Sequence, residues 1–124
     1  MPDSNTVNLL QITRGTTPTI EARIVQDIDL HTVAALWITI TQLEGANDKK
    51  EVKIFKQLSD VTFDYELRTI SVKLSQEDTL KLNEGGGTYQ IRMLTIDETA
   101  LITPQCEVVV SGCDKEGIIT PTGE

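Results

Sequence analysis

Val33-Ala34-Ala35-Leu36-Trp37-Ile38-Thr39-Ile40-Thr41-Gln42-Leu43 alternates along its length: Leu36, Ile38 and Ile40 fall on one face of an extended chain, and Ala35, Trp37, Thr39 and Thr41 on the other. Successive side chains of a strand point to opposite faces, so this period of two predicts a half-buried β-strand with the Leu-Ile-Ile set in the core. Polar Gly45-Ala46-Asn47-Asp48-Lys49-Lys50 follows, then Val52, Ile54 and Phe55. That order reads as a hairpin with a long loop whose tip is expected to be mobile.

The same signal recurs on both sides. Ile20, Ala22 and Ile24 alternate with Thr19, Glu21 and Arg23 just after Pro18. Val61 and Phe63, then Ile70, Val72 and Leu74, give a second hairpin around Tyr65-Glu66-Leu67-Arg68. Tyr89, Ile91 and Met93 give a third with Leu101 to Val110, whose Cys106, Val108 and Val110 share one face. Asn8 to Thr13 adds an edge strand. Only Gln76 to Leu82 reads as helical, with Ser75 as N-cap and Asp78 three residues on, and Gly85-Gly86-Gly87 reads as the loop that ends it. The 13 isoleucines, 9 valines and 17 threonines are stiff at χ1 and pack well on a pleated surface, which favours strands.

About seven short strands with regular turn signals and no βα repeat predict an all-β fold: a single antiparallel β-sandwich, Ig-like in the broad sense, with one short helical crossover. The Cys…Trp…Cys spacing of antibody domains is missing. At 124 residues the chain makes one domain, divided into a flexible N-terminal arm (1–7), the sandwich (8–113) and a polar C-terminal tail (114–124), with both ends expected to fray.

The net charge of −8 repels a phosphate backbone, so no nucleic acid is expected as a partner. The longest apolar run, Val33 to Ile38, is far short of the roughly 20 residues of a membrane-spanning helix, and no membrane partner is expected. Met1 to Thr6 lacks the basic and apolar regions of a signal peptide, which predicts a cytosolic product. Cys106 and Cys113 lie too far apart in extended chain to bridge and are read as free thiols, Cys106 as a small core residue.

Residue chemistry offers few sites. Asp27, Asp29 and His31 would share one face of a strand and are sensible metal ligands, but they read more simply as solvent-side residues. The three glycines lack the flanking features of a phosphate loop. No serine elbow occurs, and His31 is the sole histidine. Trp37, Tyr65 and Tyr89 are the candidates for a sugar-stacking platform. The residues thus predict no catalytic, cofactor-binding or metal position, no cofactor and no enzyme.

Four segments carry a resemblance: Ile12-Thr13-Arg14-Gly15-Thr16-Thr17-Pro18-Thr19, Ala35-Leu36-Trp37-Ile38-Thr39-Ile40-Thr41-Gln42, Leu74-Ser75-Gln76-Glu77-Asp78-Thr79-Leu80 and Gln90-Ile91-Arg92-Met93-Leu94-Thr95. In this order they resemble small prophage-encoded proteins of Firmicutes found among tail and baseplate genes, with Gly117-Ile118-Ile119 matching the usual ending. More loosely, the chain is similar to the N-terminal β-sandwich domain of upper baseplate proteins of lactococcal phages. Two turns depart from that pattern: Tyr65-Glu66-Leu67-Arg68 and Asp97-Glu98 stand where Asp-Gly or Asn-Gly is expected.

The resemblance implies a virion structural or assembly protein of the tail or baseplate, made in the bacterial host cytoplasm and carried in the virion if the phage is assembled. Its partners would be itself, as a homo-oligomer, or other phage tail proteins. The alternative is an Ig-like module for a host-surface glycan or receptor. Within the structural reading, Leu9, Leu10 and Ile12 are the expected subunit contact, because apolar side chains facing both ways along an edge strand invite strand addition.

Overall fold

The computed structural model describes residues 9–44 and 49–121. In chain order the strands are β1 (Leu9–Thr13), β2 (Thr19–Arg23), β3 (Val33–Glu44), β4 (Lys49–Gln57), β5 (Thr62–Asp64) and β6 (Thr69–Lys73). A short helix, α1 (Gln76–Leu80), precedes β7 (Gly85–Thr95), β8 (Ala100–Ile102) and β9 (Cys106–Ser111). Six strands form one sheet in the order β1-β9-β7-β3-β4, with β8 also paired to β7, and β2-β6-β5 form the second. The chain is the all-β sandwich its periodicity predicts. All pairings are antiparallel except β1 with β9, which run parallel from Leu9 opposite Glu107 to Thr13 opposite Ser111.

β3 is the spine of the large sheet, paired to β4 on one side and β7 on the other. Leu36, Ile38 and Ile40 are buried as their alternation requires, in one cluster with Ile20, Ile70 and Val72 of the small sheet. The inward series continues to Gln42, a buried amide that the sequence does not flag. Its Nε2 donates to the Asn83 carbonyl at 2.8 Å and its Oε1 accepts from the Asn83 N–H at 2.9 Å. Those bonds satisfy a polar group that would otherwise cost about 1–3 kcal/mol to bury.

β8 and β9 are one strand in two pieces, since both pair with the same edge of β7. The break falls at Pro104, which has no N–H to give to a ladder. Thr103 bridges the gap: its N–H donates to the Ile91 carbonyl at 2.9 Å and its hydroxyl accepts from the Ile91 N–H at 3.0 Å.

Several expectations need correction. Gly85-Gly86-Gly87 is not a loop but the first part of β7, opposite Val110, Val109 and Val108. Glycine is there because a Cβ on Gly87 would stand 2.7 Å from the Thr41 carbonyl oxygen. The two turns without an Asx-Gly pair form nonetheless, with Arg68 (φ 55°) and Glu98 (φ 65°) in the left-handed region, which costs an L-residue about 1–2 kcal/mol. Part of the tail read as fraying is tied down: Gln76 bonds both the N–H and the carbonyl of Ile119, at 2.8 and 3.0 Å, and Glu116 pairs with Arg14 at 2.5 Å. The 1–7 arm and the 45–48 loop tip lie outside the described residues.

α1 starts as the sequence predicts. Ser75 Oγ accepts from the Asp78 N–H at 3.0 Å, and Asp78 Oδ2 accepts from the Ser75 N–H at 2.9 Å. Asp78 also meets Lys56 Nζ at 2.8 Å. Burial pushes the Asp78 pKa up, but the Lys56 ammonium and the Ser75 N–H outweigh it and hold the carboxyl below its usual range. A depressed folded pKa contributes stability that is present above the unfolded value near 4 and lost as pH falls through the folded value. The melting temperature should therefore drop below about pH 4, and the gap between wild type and Asp78→Asn should close there. A constant gap down to pH 2 would show that the charge of Asp78 does not matter.

Candidate interaction surface

β1 closes one end of the large sheet with nothing paired to its outer side among the described residues. The Arg14 N–H donates to the Ser111 carbonyl at 2.9 Å. In a parallel ladder alternate residues turn both backbone groups to the partner, so Leu10, Ile12 and Arg14 face β9 while Leu9, Gln11 and Thr13 face outward. Thr16 occupies the Thr13 carbonyl, which leaves Leu9 and Gln11 on the open edge. β1 contains no lysine, proline or bulge to guard it.

Of the three residues expected at a subunit contact, Ile12 is corrected to the core: it is 2% exposed, because its side chain shares the inward face of β1 with Leu10. Leu10 is half-buried and packs on the same core. Leu9 alone points out, 47% exposed.

The outward face of the large sheet is unusually apolar. Antiparallel sheets with one wet face normally place polar residues there, yet Trp37, Phe55, Leu94, Ile102 and Val109 are all exposed on it. The register sets Trp37 between Gln57 and Arg92, with Ile102 beyond Arg92. Phe55 meets Trp37 edge-on at 5.7 Å, and the Arg92 guanidinium sits 5.1 Å from the indole centroid. Beside them is a shallow hollow of about 180 Å³ walled by Ala35, Trp37, Arg92, Leu94 and Ala100.

The other candidate residues scatter. Asp29 and His31 do meet, but at a 3-10 turn (Leu30–Thr32) that Asp29 caps, so the strand-face geometry of a metal site is not formed. Asp29 Oδ1 accepts from the His31 N–H at 3.0 Å and lies 3.0 Å from His31 Nδ1. The backbone N–H first, then the imidazole, hold the Asp29 pKa below its usual value. Among the described residues no three His, Cys, Asp or Glu side chains, Asp27 included, group as a metal site.

Trp37, Tyr65 and Tyr89 lie in three separate places. Tyr65 sits at the β5–β6 turn, stacked on His31 at 3.8 Å. Tyr89 lines an open cleft of about 500 Å³ at the β1 and β2 end, with Leu10, Ala22, Gln26 and Cys106. Burial, then the Cys106 thiol beside it, push its phenol up to about 12. Both cysteines are free, and Cys106 is half-buried at that cleft rather than in the core, because the strand ends there.

No protein-family model matches the chain, and no curated protein matches it. Among solved structures it is similar to CopC from Methylosinus trichosporium OB3b, at 13% identity over 87% of this chain and 90% of that chain, with a TM-score of 0.48.

Proposed function

We propose that the protein is a non-enzymatic structural or assembly protein of a phage tail or baseplate, made in the bacterial host cytoplasm and acting through protein–protein contacts in a homo-oligomer. The observation that carries this reading is the unguarded edge of β1, since proteins that remain monomeric usually block such edges. The four segments that resemble prophage tail-region proteins support the setting. The glycan-binding alternative gains less: its three aromatics are dispersed, and Arg92 lies over the Trp37 ring that a sugar would stack on.

The test is Gln11→Pro. Proline removes an N–H that faces outward and leaves the β9 ladder whole, a position an edge strand tolerates. Light scattering at micromolar concentration should give at least two chains for wild type and a lower mass for the variant, at an unchanged circular dichroism spectrum. An unchanged mass would move the contact off this edge, and a monomeric wild type at every concentration would remove the self-assembly reading.

A further inference from the structure

We infer that the hollow beside Trp37 and Arg92 is a docking site for the β5–β6 turn of a second copy of this chain, an inference that rests on the structural reading above.

The hollow is set in a sheet face whose strands are poor in acids, on an acidic molecule. Among the described residues, the outward positions of the large sheet's strands carry one carboxylate, Glu107, against two cations, Lys50 and Arg92, on a chain of net charge −8. Arg92 has no carboxylate partner among the described residues. It is held over Trp37 instead, so the guanidinium is oriented but its charge is unmatched. Tryptophan and arginine around a small apolar depression are the composition of an interface hot spot.

The complementary shape is on the same chain. The turn Asp64-Tyr65-Glu66-Leu67 presents acid, ring, acid and leucine in succession, all exposed, with Leu67 at 64%. Its own contacts hold its shape. Asp64 Oδ1 accepts from the Leu67 N–H at 3.1 Å, Tyr65 is stacked between His31 and Phe63, and Arg68 donates to the carbonyls of Ile24, Gln26 and Ile28. A preorganised knob loses little entropy on docking. Leu67 suits the hollow, which has room for one branched apolar side chain, and Glu66 supplies the carboxylate that Arg92 lacks.

One chain cannot make this contact with itself. The turn belongs to the small sheet, whereas the hollow opens on the face of the large sheet directed away from it. The contact joins different patches of two copies, and a heterologous contact of that kind generates rings or open stacks.

Charge reversal tests it. Arg92→Glu and Glu66→Arg, each at an exposed position, should separately raise the concentration needed for association by at least about tenfold, since like charges then face each other. An equimolar mixture of the two should recover association at a concentration well below that needed by either variant alone, because every contact between unlike copies again pairs Arg with Glu. Light scattering reads the mass and circular dichroism confirms the fold of each variant. Two single variants that assemble as wild type does, or a mixture that fails to recover, would overturn the docking site while leaving self-assembly through another surface standing. A wild type that is monomeric throughout would overturn both.

Discussion

Gly87→Val should lower the melting temperature by about 10 °C or more, from a loss on the order of 3 kcal/mol. The new Cβ would stand 2.7 Å from the Thr41 carbonyl oxygen and 2.9 Å from Gln42 Cγ. The first of these atoms is backbone in β3, the best-supported strand of the sheet, so it cannot swing aside. Relief requires β3 and β7 to separate beside Thr88 and Thr41, which also disturbs the buried Gln42 amide and its bonds to Asn83. Gly86→Ala is the control. Its Cβ would find only the Val108 carbonyl oxygen, at 3.9 Å, and should leave the melting temperature within a few degrees. Equal effects at the two positions would show that loss of glycine as such, rather than the approach of β3, decides the outcome.

Arg68→Ala is the second large effect expected, at about 3 kcal/mol. The guanidinium donates to three carbonyls, those of Ile24 at 3.2 Å, Ile28 at 2.9 Å and Gln26 at 2.6 Å. Hydrogen bonds to a charged group contribute about 1.5–3 kcal/mol each and are not additive when they share one donor group. Arg68→Lys should recover little, because a single ammonium cannot reproduce the planar fork. Thermal melts give the size of the loss, and hydrogen exchange should show faster opening of residues 24–28 than of β3. A loss below 1 kcal/mol would mean that solvent satisfies these carbonyls as well as the guanidinium does.

Arg68 also marks the limit of what the sequence shows. The alternation of Leu36, Ile38 and Ile40 made β3 legible, because one buried face repeats every second residue. Ser75 and Asp78 made the start of α1 legible, because a capping box is local. The turns were not legible in detail: an arginine at φ 55° is held there by carbonyls 40 to 44 positions away along the chain, a contact that no local signal encodes. Gly85 to Gly87 misled for the same reason, since glycine in a strand and glycine in a loop differ only in what approaches from elsewhere. The division into sheets of six and three strands, and the turn of Ile12 inward, follow from long-range pairing that periodicity does not specify. The apolar outward face was half-visible. Trp37 stood on the predicted wet side of β3, but its neighbours Phe55 and Arg92 come from other strands.

The parallel pairing of β1 with β9 bears on how the molecule forms. Leu9 lies opposite Glu107 and Thr13 opposite Ser111, so β1 has no β9 to pair with until the chain has been synthesised through Ser111. Loops that long are entropically slow to close, and contacts of high sequence separation slow folding. While β7, β3 and β4 are already free to assemble, Leu9-Leu10-Gln11-Ile12 waits unpaired on the nascent chain with two open edges in place of the final one. Unpaired strand edges of this kind are where an incompletely folded chain is most open to pairing with another chain.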